Sequence, residues 1–454
     1  MNRRKALSLL SLGATPLLVK GFPTVGQIQN FSGAIPLKSP IKKFGDGRDW
    51  FFEKRFGMFI HWGIYSIPAW HEQYQWRANI PANEYVKFAR QFNPVKFNPA
   101  HFLDLMQEAG MEYLTFTTKH HDGFCMWNTA QTDYNIMYTP YKKDILGMLA
   151  EECHKRKVPL CLYYSIVDWH QPNYPNQGRH HELKEIVPGG DPDWGKYMDF
   201  LKKQVKELCT NYGEIHGFWW DMNVPEFKDQ SVNNMIRNLQ PNAIINNRGF
   251  DDGDYGTPER EGGASLRTIR FDKPTEACQS VGSLSWGYKK DEEYFSDRYL
   301  IRSIDKFLNA GANYLLNVGP TSEGVIPPIS ANILRRIGKW YKNVKVSYVQ
   351  AEDISISFAD PEIYYSIKGN ILYIHLSNDC NADGISLKPI DVLPKSVHLL
   401  NNKTEIKCEV KYEPGDYGSS RKGYLRLKNL PVNTLSNTSM VFKLVFEKNI
   451  SQLI

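Results

Sequence analysis

The chain has 454 residues, 42% of them hydrophobic and 23% charged, a globular balance with length for two or three domains and at least one large core. Its formal net charge is +6, but Arg3, Arg4, Lys5 and Lys20 supply four of those charges, so the remainder is only weakly basic and carries no nucleic-acid footprint. Seven cysteines are scattered without a C-x-x-C pair, which argues against a zinc or disulfide framework.

In chain order, the first element is "MNRRK" followed by the apolar run "ALSLLSLGATPLLV". A basic head before an apolar run too short and too Pro-interrupted to span a bilayer reads as an export signal, so residues 1–31 stand outside the fold. The expected location is periplasmic or extracellular.

From about residue 50, short runs rich in β-branched and aromatic residues alternate with patterns of helical period. The runs are "GMFIHWG" (57–63), "YLTFTTKHHDG" (113–123), "PLCLYYSIVDW" (159–169), "IHGFWWDM" (215–222), "AIINNRG" (243–249) and "RTIRFD" (267–272). Between and after them, "PANEYVKFARQF", "PAHFLDLMQEAGM", "DILGMLAEECHKRK", "WGKYMDFLKKQVKELCTNY", "SVNNMIRNL" and "SDRYLIRSIDKFLNAGA" read as amphipathic helices. Asn98, Asp144 and Ser296 are N-cap residues in this reading, and Gly110 and Gly213 are stops. Repeated β/α units without a Gly-x-Gly-x-x-Gly turn after the first strand predict a (β/α)8 TIM-type barrel over residues 45–345. Beyond it, short alternating runs broken by Gly, Asn, Asp and Pro predict an antiparallel β-sandwich over 350–454.

Chemistry in such a barrel sits at the C-terminal ends of the strands. The residues expected there are His61 and Trp62, then Lys119, His120, His121 and Asp122, then Tyr164, Asp168, Trp169 and His170, then Asp221, Asn246, Asn247 and Arg248, and last Glu259 and Glu276. A cleft lined by carboxylates, imidazoles, an Arg and indoles suits a neutral polyhydroxylated ligand, and two carboxylates meet the need of glycoside hydrolysis. On a strand His120 and His121 would point to opposite faces and could not both ligate one ion unless the strand breaks there, and no H-E-x-x-H or comparable spacing is present; no metal and no cofactor is expected. Asp221 could also simply end a strand, and "DWHQP" (168–172) could be simply a turn.

These stretches resemble, in order, the α-L-fucosidases of glycoside hydrolase family 29. The resemblance rests on "RFGMFIHWGIYSIPAW" (55–70), "EYVKFARQFNPVKFNPAHF" (84–102), "TTKHHDGFCMWNT" (117–129), "LYYSIVDWHQPNYP" (162–175), "GFWWDM" (217–222), "INNRG" (245–249), "GDYGTPE" (253–259), "SWGY" (285–288) and "NYLLNVGPTSEGVIPP" (313–328). It implies a retaining enzyme acting on a fucosylated oligosaccharide or glycan, with Asp221 as nucleophile. It further implies that His61, His120, His121, Tyr164, Trp219 and Arg248 contact the sugar. The acid/base falls to Glu259 by the "GDYGTPE" segment, ahead of Glu276, with Glu261 third. In "EQYQW" the resemblance places Gln75 where many members carry Glu, and Trp76 at the following indole; Glu72 stands close enough in sequence to compensate. An inactive carbohydrate-binding barrel and a glycosidase for a galactose-type sugar are the alternatives.

Overall fold

A computed structural model describes residues 41–221, 229–260, 270–348, 363–377, 382–412 and 423–453. The proposed export segment, Met222, Glu261 and residues 267–269 of "RTIRFD" lie outside the described residues.

Seven strands form one parallel sheet: β1 (Phe56–Ile60), β2 (Tyr113–Lys119), β3 (Leu160–Ser165), β4 (Gly217–Asp221), β5 (Ile244–Ile245), β6 (Glu276–Ser280) and β7 (Asn313–Val318). Their order is β5-β4-β3-β2-β1-β7-β6. The gap between β5 and β6 is spanned by residues 255–259, through parallel bridges of Asn246 with Tyr255, Gly256 with Thr275 and Glu259 with Cys278. The ring therefore runs in chain order all the way round, with Tyr255–Glu259 as its eighth stave. Of "RTIRFD", the described residues Arg270–Asp272 form no strand, and the sixth full strand begins at Glu276.

The alternation of strand and helix holds over most of the ring. Asn98, Asp144 and Ser296 each accept a backbone N–H from the first turn of the helices Pro99–Glu108, Ile145–Arg156 and Asp297–Asn309, as the sequence predicts. Gly110 and Gly213 sit at φ +74° and +70°, a conformation that glycine adopts without steric cost. "PANEYVKFARQF" departs from expectation: it is one α-turn, Ala82–Tyr85, continued as a 3-10 helix to Gln91.

Every barrel strand is buried on both faces, and side chains alternate between two environments. Phe59, Tyr113, Cys161, Tyr163, Trp219 and Cys278 belong to an inner cluster. Their neighbours Ile60, Leu114, Leu162, Tyr164, Phe218 and Ala277 pack in the outer layer against the helices. This parity decides which residues reach the site.

After the helix Pro328–Val344 the chain forms two antiparallel sheets. One contains β10 (Gly384–Leu387), β14 (Gly423–Lys428) and β13 (Lys407–Tyr412). The other orders β12 (Thr404–Glu405), β11 (Ser396–Leu399), β15 (Met440–Val445), β9 (Ile371–Leu376) and β8 (Ile363–Lys368). Leu372, Ile374, Leu387, Leu425, Leu427 and Phe442 supply their shared core, as in a sandwich.

A buried carboxylate ties the barrel to the sandwich. Asp305, on the helix Asp297–Asn309, accepts from Tyr348 Oη at 2.6 Å, His375 Nδ1 at 2.7 Å and Asn309 Nδ2 at 2.9 Å, and from the Ser377 hydroxyl. These donors, His375 first, outweigh burial and hold the Asp305 carboxyl below its ordinary value. Asp305→Asn keeps the shape but faces an amide N–H toward donors. It is expected to cost roughly 2–4 kcal/mol, seen as an earlier urea midpoint; an unchanged midpoint would refute the assignment.

Candidate active site

At the C-terminal end of the barrel lies a cavity of about 210 Å³, bordered among others by His61, His120, His121, Trp219, Asp221 and Glu259. That volume is small beside drug-sized pockets and suits a single sugar ring. These six residues, all singled out from the sequence, therefore line one space.

Arg248, a seventh, organises it. Its Nε donates to Thr257 Oγ1 and its Nη2 to the Thr257 carbonyl, each at 2.7 Å, which fixes the plane of the guanidinium. Its Nη1 then donates to Asp221 Oδ1 at 3.1 Å and to Glu259 Oε1. The cation also lies 4.7 Å over the Trp219 ring. Two carboxylates bonded to one nitrogen are held within about 6 Å of each other, short of the spacing an inverting glycosidase needs for an intervening water. Asp221 Oδ2 accepts from Tyr163 Oη at 2.7 Å. Glu259 is the more open of the two, 38% exposed against 12% for the Asp221 side chain. Burial raises the Glu259 carboxyl above its ordinary value; Arg248 opposes this and the Asp221 charge adds to it.

The imidazoles are neutral. Burial lowers His61 to about 4 and pushes His120 and His121 well below the usual range, with neighbouring imidazoles contributing to both. Their tautomers follow from the hydrogen-bond network. Asn317 Nδ2 donates to the Trp286 carbonyl at 2.6 Å, which turns Asn317 Oδ1 toward His61 Nδ1 at 2.7 Å. His61 must present N–H at Nδ1, leaving the Nε2 lone pair for a ligand. Ser165 spends its hydrogen on the Val167 carbonyl at 2.7 Å, so it accepts from His121 Nδ1, also at 2.7 Å. His121 Nε2, 3.8 Å from Asp221 Oδ2, is then a second acceptor. His120 Nδ1 is buried without a partner. An orphaned lone pair costs less than an orphaned N–H, which places the hydrogen on His120 Nε2 as a donor. Two acceptors and a donor match hydroxyl groups, each of which can do both.

Four residues singled out from the sequence fall elsewhere. Tyr164 belongs to the outer layer, where its hydroxyl donates to Gln204 Oε1 at 2.6 Å on the helix Trp194–Thr210. Tyr163 occupies the inner position instead. The signal was present in "LCLYYS": Leu160, Leu162 and Tyr164 share the bulky apolar parity, whereas Cys161, Tyr163 and Ser165 share the one that includes small polar side chains. Glu276 starts β6 one layer below the cavity floor, accepting from Tyr113 Oη at 2.5 Å and Trp219 Nε1 at 3.1 Å. Burial raises it to about 7, those two bonds opposing. Gln75 is buried away from the cavity, and Trp76 donates Nε1 to the Glu182 carbonyl at 2.8 Å. Glu72 and Gln73 border the cavity in their place. Glu72 Oε2 accepts from Ser285 Oγ at 2.7 Å, Trp286 N at 2.9 Å and Gly287 N at 3.3 Å, holding the Trp286 ring stacked 5.3 Å from His61.

"DWHQP" is structural. Asp168 pairs with Lys119 at 2.6 Å, both buried, and accepts from His170 N and Gln171 N. Among the described residues no three His, Cys, Asp or Glu side chains converge as a metal ion would require.

Two carboxylates clamped at retaining distance over a sugar-sized cavity, at the catalytic end of a parallel barrel, define a glycoside hydrolase. The family model described as Alpha-L-fucosidase matches residues 39–345. The chain belongs to that family, glycoside hydrolase family 29. The chain is 29% identical to the tissue alpha-L-fucosidase of Homo sapiens, over 71% of this chain and 74% of that one. Its fold matches alpha-L-fucosidase isoenzyme 1 from Paenibacillus thiaminolyticus with a TM-score of 0.78 and 32% identity, covering 89% and 100% of the two chains. A further match is the Bacteroides thetaiotaomicron alpha-L-fucosidase trapped as a covalent intermediate with 2-fluoro-fucosyl fluoride, at TM-score 0.72 and 25% identity, covering 90% and 99%.

Two outcomes check the geometry. Tyr163→Phe removes the donor on Asp221 and is expected to lower kcat on an aryl α-L-fucoside about 10- to 100-fold, whereas Tyr164→Phe changes it less than about 2-fold and costs only about 1 kcal/mol of stability. The opposite ranking would return Tyr164 to the site. For Glu276, a raised carboxyl binds its proton more tightly folded than unfolded, so stability falls as pH rises from about 4.5 through 7. Glu276→Gln removes this loss, on the order of 3 kcal/mol. Melting temperatures at pH 5 and pH 8 should therefore differ less in the variant than in the parent.

Proposed function

We propose that the protein removes terminal α-L-fucose from oligosaccharides or glycoconjugates with retention, Asp221 attacking the anomeric carbon and Glu259 serving as acid and then base. The observation that carries this is the Arg248 guanidinium shared by the two carboxylates. Glu259 enters the first step protonated, favoured by its raised pKa, and donates to the leaving oxygen. Once Asp221 is esterified its charge is gone, so its upward pull on Glu259 disappears and the same carboxyl becomes the base for the incoming water. His61 and His121 accept from sugar hydroxyls and His120 donates to one. Phe59, Trp219 and Trp286 form an apolar wall that suits the methyl group of a deoxy sugar.

The galactose-type alternative drew on a neutral Gln75 at the sugar, and Gln75 does not border the cavity. An inactive binding barrel has no use for the Asp221–Arg248–Glu259 clamp. Export rests on the basic head and apolar run of residues 1–31 alone; fractionation of producing cells would place the activity.

Asp221→Ala is expected to lower hydrolysis of an aryl α-L-fucoside by at least about 10³-fold, with azide restoring turnover. In Glu259→Ala, natural fucosides lose far more than those with an acidic phenol, which needs no proton. Proton NMR should show retained configuration in the parent enzyme. Wild-type-like activity in Asp221→Ala would sink the assignment, and an inverted product would exclude double displacement. Rate should also fall at alkaline pH as Glu259 loses its proton.

A further inference from the structure

The mouth of the cavity carries positive charge that hydrolysis of a neutral fucoside does not use. Arg77 and Arg260 both border the cavity. Arg77 Nε donates to Gln73 Oε1 at 2.9 Å, and Arg260 Nη1 donates to the Ser283 carbonyl at 2.7 Å with its guanidinium 4.8 Å over the Trp286 ring. Each is held by a neutral oxygen, and among the described residues neither forms an ion pair, although Arg260 acts on Glu259 electrostatically. Lys289 joins them: its Nζ reaches the Trp70 carbonyl at 3.3 Å and lies 5.6 Å over the Trp70 ring. Lys290 N donates to the Ala69 carbonyl at 2.9 Å, fastening the two loops together beside His71. All three cations act electrostatically on His71, which adds to the burial that keeps that imidazole neutral.

Among the described residues, three carboxylates near these cations are already engaged. Glu72 is held by Ser285, Trp286 and Gly287, and Glu259 by Arg248. Glu292 accepts from Leu284 N at 2.9 Å, and Lys289 acts on it, which offsets part of one charge of the three. Beside the cations lie two exposed apolar side chains, Trp70 at 42% and Leu284 at 44%. Arg260 holds φ +41°, a backbone conformation that costs a non-glycine residue about 1–3 kcal/mol and that is retained where surrounding structure enforces it.

Position relative to the reaction says what this surface meets. Glu259 protonates the leaving oxygen, so the sugar that departs on that oxygen lies against the side chains flanking Glu259. Arg260 is the next residue, and Leu284 and Trp286 border the same cavity. A guanidinium offers paired N–H donors to a planar or tetrahedral anion.

We infer that the leaving-group side of the cavity is a subsite for an acidic sugar, one bearing a carboxylate or a sulfate ester, paired with Arg77 and Arg260 in the field of Lys289. The inference rests on the fucosidase reading above and narrows its substrate class.

The test compares kcat/KM for α-L-fucosides of one linkage on three leaving sugars: a neutral hexose, the corresponding uronate and its sulfate ester. An aryl α-L-fucoside is the control; its survival intact would fail the fucosidase reading rather than the subsite. At low salt at least one acidic substrate is expected to exceed the neutral one by at least about 10-fold, and about 0.2 M salt should shrink that ratio several-fold. Which acidic substrate leads identifies the anion. In the Arg77→Gln, Arg260→Gln double variant the ratio should approach one, whatever the absolute rate. Should that variant not fold, Lys289→Gln alone should lower the ratio about 2- to 3-fold. Equal or slower hydrolysis of both acidic substrates overturns the inference, and so does a preference that survives salt or the substitutions.

Discussion

Closing a parallel sheet into a barrel turns every second side chain of each strand into a water-poor interior, where each polar atom has to be satisfied by the protein itself. Much of the site's chemistry follows from that constraint. Glu276 exists in the lower layer only because Tyr113 and Trp219 donate to it, and the bond from Trp219 also fixes the indole that walls the cavity. One layer higher, Asn317 and Ser165 each spend one polar group on a backbone carbonyl and so dictate what they offer to His61 and His121. The imidazoles are thus set as acceptors before any ligand arrives, which limits reorganisation on binding.

The upper rim uses the same logic with charge. Arg248 would be costly so deep in the barrel without partners, and Asp221 and Glu259 would repel each other without it. The three make a unit in which each member is affordable only with the others, and the unit is also the proposed reaction apparatus. Neutral imidazoles add no charge near Asp221. Glu72 works by a different route, organising the segment that carries Trp286 rather than balancing a cation. Farther from the chemistry, Asp305 repeats the device at the junction of barrel and sandwich, one buried carboxylate saturated by donors from both sides.

The amino-acid sequence by itself determined the barrel-then-sandwich architecture, because strand and helix periods are local and the caps at Asn98, Asp144 and Ser296 act within one turn. It also marked His61, His120, His121, Asp221, Arg248 and Glu259 by their place at or soon after expected strand ends, and Trp219 through the family resemblance of "GFWWDM". Only the tertiary structure decided the rest. The parity of "LCLYYS" carries a signal for which of Tyr163 and Tyr164 faces inward, but the choice is fixed by the register of β3 against β4, set by packing across the whole sheet. Whether Glu276 is reagent or filler depends on its height in the barrel, and that depends on where β6 begins, at Glu276 itself. Glu72 rather than Gln75 reaches the cavity because the short turn Tyr74–Arg77 carries Gln75 away from it. Arg77, Arg260 and Lys289 come from segments far apart in the chain, so their shared field exists only once the ring has closed: period is written residue by residue, but register, depth and convergence are properties of the folded whole.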